Sequence, residues 1–237
     1  MTDPYLLLWL EAPIQSWGHD SKFGRRDSLG FPTKSGVLGL LCCALGAAGE
    51  QQKLLAGFSE LDMSVVAYVR NGPHGEPKPS EPLLPDFQMV GSSYDNSDPW
   101  ESLLIPKTNA GKKAVGGGTK MTYRYYLQDM AFAVAMQVPA EQIESMADAL
   151  QNPVWDLFLG RKCCVPTELI YQGQYANVDE VLIAAEEIAT LKMRIASYQV
   201  KQGEYEGEVL TLNDVPVQFG EGKRYRDRRV TLQTWRE

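Results

Sequence analysis

Between two strand-like runs, Leu61 to Arg70 and Thr122 to Val138, the hydrophobic patterning of this chain dissolves. From Asn71 to Thr119 it gives way to Pro, Gly, Ser and Asn. A connection longer than about 15 residues is a functional or disordered segment rather than an ordinary loop. Short apolar pieces inside it, Phe87 to Val90 and Leu103 to Ile105, predict a long protruding arm instead of random coil. The body of the protein is therefore assembled from what lies on either side of that arm.

With the arm set aside, the order of elements is legible. Tyr5 to Leu10 is apolar throughout and predicts a short buried strand. Thr33, after Pro32, is a helix N-cap, and Val37, Leu38, Leu40, Leu41, Ala44 and Leu45 follow with helical spacing. Gly36 and Gly39 cost helix propensity and predict close backbone packing there. Pro139 is expected to open a second helix with Ile143, Met146, Ala147 and Leu150 on one face. Trp155 to Leu159 or Cys163 to Pro166 is available as a closing strand.

Strand, helix, strand, strand, helix, strand is the split β-α-β pattern of a ferredoxin-like α+β domain, which hosts many unrelated functions. Beyond Thr167, a short helix (Val178 to Ile188) precedes strand-like runs at Lys192 to Val200, Glu208 to Leu212, Val215 to Phe219 and Arg229 to Trp235. The expected organisation is a body over residues 1–166, interrupted by the arm at about 71–119, and a small mostly-β portion over 167–237.

The net charge is −7, from 23 basic and 30 acidic side chains, which as an average argues against a general nucleic-acid coat protein. The charge is segregated, however. Ser102 to Gln128 carries Lys107, Lys112, Lys113, Lys120 and Arg124 and no acid. Lys22 to Lys34 and Lys223 to Arg229 are two further basic islands, and acids concentrate between Glu141 and Glu187. Interleaved with Tyr123, Tyr125 and Tyr126, such islands can track a phosphate backbone. Each also reads as a solvated face.

Most catalytic chemistries lack their residues. There are two histidines, and His74 lies in a Pro/Gly-rich stretch. His19, beside Trp17 and the Lys22 to Arg26 island, could serve acid/base work on RNA with Lys22 or Arg25; binding without catalysis is the preferred use. The Gly116-Gly117-Gly118-Thr119-Lys120 run fails the phosphate-loop pattern, because Gly117 and Gly118 stand where Lys and Ser/Thr are required. No metal-ligand spacing and no nucleotide-cofactor turn occurs, so no metal and no cofactor are expected. The cysteines, paired as Cys42-Cys43 and Cys163-Cys164, read as core residues of a protein in a reducing cytoplasm. The apolar start lacks signal-peptide features, and no run approaches the roughly 20 apolar residues of a membrane helix.

Three blocks of sequence carry a resemblance. The first is Ala12-Pro13-Ile14-Gln15-Ser16-Trp17-Gly18, followed by Arg25-Arg26 and by Phe31-Pro32-Thr33-Lys34-Ser35-Gly36-Val37-Leu38-Gly39-Leu40-Leu41. The second is Tyr126-Leu127-Gln128-Asp129-Met130-Ala131-Phe132, and the third Phe158-Leu159-Gly160-Arg161-Lys162-Cys163-Cys164-Val165-Pro166. Together and in order they resemble the Cas5 family, most closely its type I-E branch in the CRISPR Cascade complex. Residues 167–237 match that family weakly. Members of the type I-E branch often carry D-Y-H-T-V in the arm; here the matching stretch is Asp86-Phe87-Gln88-Met89-Val90, without histidine.

The resemblance implies a ferredoxin-like (RRM-like) body of the RAMP superfamily with a long β-hairpin thumb where the arm lies. It implies a non-catalytic subunit that grips the 5′ handle of the CRISPR RNA and caps the Cas7 backbone. Such a subunit also lies next to the Cas8-type large subunit and meets target DNA indirectly. The alternative, as in type I-C relatives, is an endoribonuclease that processes precursor CRISPR RNA. The helix start at Thr33 offers free N–H groups beside Lys34 and Ser35 for a phosphate. Gln15, Trp17, Phe23 or arm aromatics could meet splayed bases, although Trp17 reads equally as core. Arg161 and Lys162 form a second clamp, or else pair with Glu168. The expected RNA-binding set is Gln15, Trp17, His19, Lys22, Arg25, Arg26, Lys34, Ser35, Lys107, Lys112, Lys113, Lys120, Arg124, Arg161 and Lys162, with no catalytic residue.

Overall fold

Strand β1 (Tyr5–Glu11) is buried on both faces because its alternating side chains serve two cores. Leu6, Leu8 and Leu10 enter one; Leu7 and Trp9 enter the other. The computed structural model describes residues 3–19, 21, 24–90, 108, 110–112 and 120–234. After β1 come β2 (Ile14–Gln15), β3 (Arg25–Arg26), α1 (Lys34–Ala44), α2 (Gln52–Phe58) and β4 (Met63–Arg70). A hairpin of β5 (Leu84–Val90) and β6 (Lys120–Gln128) precedes β7 (Ala131–Gln137), α3 (Ile143–Gln151) and β8 (Tyr171–Tyr175). The chain continues through α4 (Val178–Leu191), β9 (Arg194–Gln202), β10 (Glu208–Gln218) and β11 (Arg224–Thr234).

A seven-stranded sheet in the order β10-β11-β9-β4-β7-β1-β8 forms the body, and its pairings are antiparallel. One face packs on α1 and α3, through residues such as Val37, Leu41, Met146 and Leu150. The opposite face is covered by α4 through Val181, Ala185 and Ala189 against Leu7, Trp9, Val66 and Tyr68. Small residues on α4 let the helix approach the aromatic side chains, with the rings of Trp9 and Tyr68 tilted against each other at 5.2 Å between centroids.

Several sequence expectations change in detail. The closing strand is β8, beyond both segments expected from sequence, and it hydrogen-bonds along β1. Thr122 to Val138 is two strands rather than one. The chain reverses at Asp129, which adopts φ 51°, so that β6 belongs to the arm and β7 to the body. Glu208 to Gln218 is one strand with its register shifted between Asn213 and Val215. The C-terminal third is mostly strand as expected, but β9 pairs with β4 and so continues the body sheet. The helix after Pro139 begins at Ile143.

The Thr33 cap forms as expected, its hydroxyl accepting from the Gly36 N–H at 3.1 Å. Gly36 is required by packing, because a Cβ there would lie 2.9 Å from the Trp17 ring. Gly39 has open space at that position, so close packing explains only the first of the two glycines. Cys42 and Cys164 are core residues, whereas Cys163 is exposed; all four are free thiols. Burial pushes the Cys42 thiol up to about 11. No helix among the described residues is long and apolar enough to cross a membrane.

Candidate nucleic-acid interface

The second sheet is organised by β6, which pairs with β5 along one edge and with β2 and β3 along the other. Alternation along β6 sorts its side chains onto two faces. One face carries Met121, Tyr123 and Tyr125, opposite Met89, Phe87 and Pro85 of β5. It is open: Met121 is 58% and Tyr123 50% exposed, with the Phe87 ring packed tilted against Tyr123 at 5.0 Å. Arg25 lies at the end of this row, its guanidinium 4.8 Å from the Tyr125 ring centre. The carboxylate of Asp27 accepts from Arg25 Nε at 2.8 Å, and that bond raises the Arg25 pKa further. The pair is exposed, which leaves the guanidinium available to a stronger anion.

The other face of β6 gathers cations. Arg26 is the register partner of Arg124, which faces Asp86 across the opposite edge. Arg161 completes the group. Its Nη2 donates to the Arg26 carbonyl at 2.9 Å, and its guanidinium lies 4.7 Å from the Tyr126 ring centre. The loop that delivers Arg161 is fixed by Gly160, at φ 99°, where a Cβ would fall 1.7 Å from the Ser16 carbonyl oxygen. Ser16 N–H in turn donates to the Leu159 carbonyl. The Gly-Arg pair thus ties residues 158–164 to Ser16 and to β3 itself. Glu168 pairs with Lys192 at 2.6 Å, not with Arg161 or Lys162.

Three expected contact residues turn out to be internal. Gln15 is fully buried, donating to the carbonyls of Leu10 and Met130 and accepting from Trp17 Nε1 at 3.1 Å. Trp17 is a core residue packed on α1. Neither side chain faces solvent, so both shape the interface rather than touch a ligand. Lys34 is also buried, its ammonium donating to the Leu61 carbonyl. Burial and the nearby Arg228 hold the Lys34 amine down to about 8.

The start of α1 is not vacant for a phosphate. Asp214, turned inward at the β10 irregularity, accepts from the Lys34 N–H at 2.8 Å. It also accepts from Arg228 through both carboxylate oxygens, at 2.7 and 2.9 Å. This buried carboxylate supplies the anion that the helix dipole favours. An acid inside the apolar run Leu212 to Val217 was the available signal for it, but its partner lies 180 residues away.

The remaining expectations scatter. His19 is exposed and lines a cleft with Ser35, while Lys162 and Lys112 are exposed on loops. Lys120 begins β6. Lys22, Lys107 and Lys113, with the Gly116 to Gly118 run, lie outside the described residues. The third basic island is largely consumed by acids of this chain: Arg226 pairs with Glu60, Arg228 with Asp214 and Arg229 with Glu204. Phe87 and Met89, which complete the open apolar face, were legible only as part of the arm. Among the described residues, no group of three His, Cys, Asp or Glu side chains could hold a metal ion.

Comparison with known proteins points in one direction. The family model described as "CRISPR-associated protein (Cas_Cas5)" matches residues 5–231. The chain is 31% identical over 173 residues to the CRISPR system Cascade subunit CasD of Escherichia coli (strain K12), covering 71% of this chain and 70% of that protein. A solved chain titled "CRISPR RNA-guided surveillance complex" superposes with a TM-score of 0.66 at 27% identity, over 97% of this chain and 89% of that one. Another, titled "Crystal structure of Cas protein", gives a TM-score of 0.60 at 26% identity, over 98% and 94%.

Proposed function

The chain belongs to the Cas5 family of CRISPR-associated proteins, and from that premise we propose that it is a non-catalytic, RNA-binding subunit of a type I-E CRISPR RNA-guided surveillance complex. In this reading it grips the 5′ handle of the CRISPR RNA and caps the Cas7 backbone beside the Cas8-type large subunit. It meets target DNA only through the assembled complex. The unit β1-α1-β4-β7-α3-β8 is the ferredoxin-like body of the RAMP superfamily, and the β5–β6 hairpin is the root of its thumb.

The observation that carries the reading is the chemistry of β6. Arg26 and Arg124 are placed side by side in register, with Arg161 held against the same strand. Three guanidinium groups against the single Asp86 carboxylate leave this strand with an excess of positive charge, which a polyanion complements. The reverse face offers Tyr123, Phe87 and the Arg25–Tyr125 stack, surfaces on which single-stranded bases pack irrespective of sequence.

The test is a binding and cleavage assay with repeat-derived RNA at low salt. The expected result is that the RNA stays intact and that R25A/R26A/R124A weakens binding by roughly tenfold or more. Cleavage of the RNA that disappears in His19→Ala would replace this reading with the endoribonuclease.

A further inference from the structure

A second polar concavity lies apart from the β6 platform. It is an open cleft of about 510 Å³, bounded by Gly18 and His19, by Ser35 in the first turn of α1, and by the outer face of the β10–β11 hairpin. That volume falls in the range of about 300–1,000 Å³ typical of small-ligand sites. The hairpin wall presents Thr211 and Asn213 from β10 with Tyr225 and Asp227 from β11. Asn213 and Asp227 are register partners, and Asn213 Nδ2 donates to Asp227 Oδ1 at 2.6 Å.

The irregularity after Asn213 is what builds this wall. It turns Asp214 inward to α1 and Arg228 while its neighbour Asn213 stays exposed. Bulges of this kind re-aim side chains and recur beside binding sites. The result is a phenol, the exposed carboxylate of Asp227, an amide, two aliphatic hydroxyls and an imidazole around one opening.

We propose that this cleft is a base-reading subsite, taking one extruded nucleobase that carries an exocyclic amino group (adenine, cytosine or guanine) in preference to uracil. The inference rests on the RNA-binding reading and assigns one position of that RNA a specificity. An ionised carboxylate only accepts hydrogen bonds, so Asp227 favours an amino-bearing edge. Uracil carries no exocyclic amino group, and its one edge donor, N3–H, lies between two carbonyl oxygens that a carboxylate repels, so it is the poorer partner for Asp227. A phosphate is disfavoured here, because the exposed Asp227 carboxylate lines the wall and, among the described residues, no lysine or arginine does. Tyr225, 37% exposed, offers a stacking surface. Arg25, the first cation of the platform, follows His19 by six residues, a reach of at most roughly 20 Å of chain, so one strand can occupy both sites.

The full chain is titrated at low salt with labelled oligo-A, oligo-C and oligo-U of equal length. Oligo-A and oligo-C are expected to bind about five- to tenfold more tightly than oligo-U. Asp227→Asn, whose amide both donates and accepts, should reduce that ratio to below about twofold, by weakening oligo-A and oligo-C and strengthening oligo-U. Tyr225→Ala should weaken oligo-A and oligo-C alike. Equal affinity of the native chain for all three, or a ratio unmoved by Asp227→Asn, overturns the subsite and leaves the platform standing. Binding of none of the three overturns the RNA-binding reading and this inference with it.

Discussion

At Gly160 the backbone sits at φ 99° with the Ser16 carbonyl where any side chain would begin. Both the conformation and the contact exclude a Cβ. Gly160→Ala is therefore expected to cost about 2–4 kcal/mol, lowering the melting temperature by roughly 5–10 °C. A variant that melts with the native protein would show that the Ser16 segment yields freely. Lys34 makes a different demand. A cation in the first turn of a helix opposes the dipole, and this one is also buried. Its folded pKa of about 8 lies below the ordinary value for lysine, so between about pH 8 and 10 the unfolded chain binds the extra proton. The burial penalty is thus fully present below about pH 8 and relieved as pH rises. Native stability measured relative to Lys34→Met should increase from pH 8 to 10; a flat difference would contradict the assignment.

The elements differ in how plainly they announced themselves. Helix α1 was legible because the Thr33 cap and the apolar stripe agree within a dozen residues. Strand β8, Tyr-Gln-Gly-Gln-Tyr, was not, because a half-buried edge strand needs no apolar run and here carries a glycine. The break between β6 and β7 was hidden by continuous strand propensity. It is made by Asp129, which tolerates the left-handed conformation and is clamped from outside. Arg70 Nη2 reaches its carboxylate at 2.9 Å; Arg194, buried, reaches it at 3.2 Å while binding Glu11 at 2.6 Å. These partners come from β1, β4 and β9, so no local pattern discloses them. Partial burial works against the charged form of Asp129, but Arg70 and Arg194 together hold its pKa below the usual value. The resulting stability is complete above the unfolded carboxylate pKa near 4 and lost as pH falls through the folded one. Melting of native protein and Asp129→Asn should accordingly differ by a constant above about pH 5 and converge toward pH 2. A difference independent of pH would assign the clamp to packing alone.

For the whole molecule, the −7 charge conceals an uneven distribution. The basic C-terminal island is bound up with Glu60, Glu204 and Asp214, whereas Arg26, Arg124 and Arg161 cluster on one strand's face. Asp179, Glu180, Glu186 and Glu187 lie on exposed positions of α4. Arg25, Arg26 and Arg161 were visible in the sequence as cations within a motif, and the fold brings them to one strand, β6. Sequence misplaced Gln15 and Lys34 and left Trp17 between core and interface, because polarity and ring chemistry do not reveal burial. It also could not see that Asp214 already occupies the helix start. On the proposed reading, an acidic protein that grips RNA through a few guanidinium groups should bind weakly alone and lose affinity steeply with salt. The most direct measurement is to purify the chain with its complex partners and a CRISPR array and to sequence the RNA that accompanies it. Guide RNA with a single defined 5′ end, lost or made ragged in R25A/R26A/R124A, is the predicted result. RNA of random ends, or RNA retained unchanged by that variant, would contradict the account.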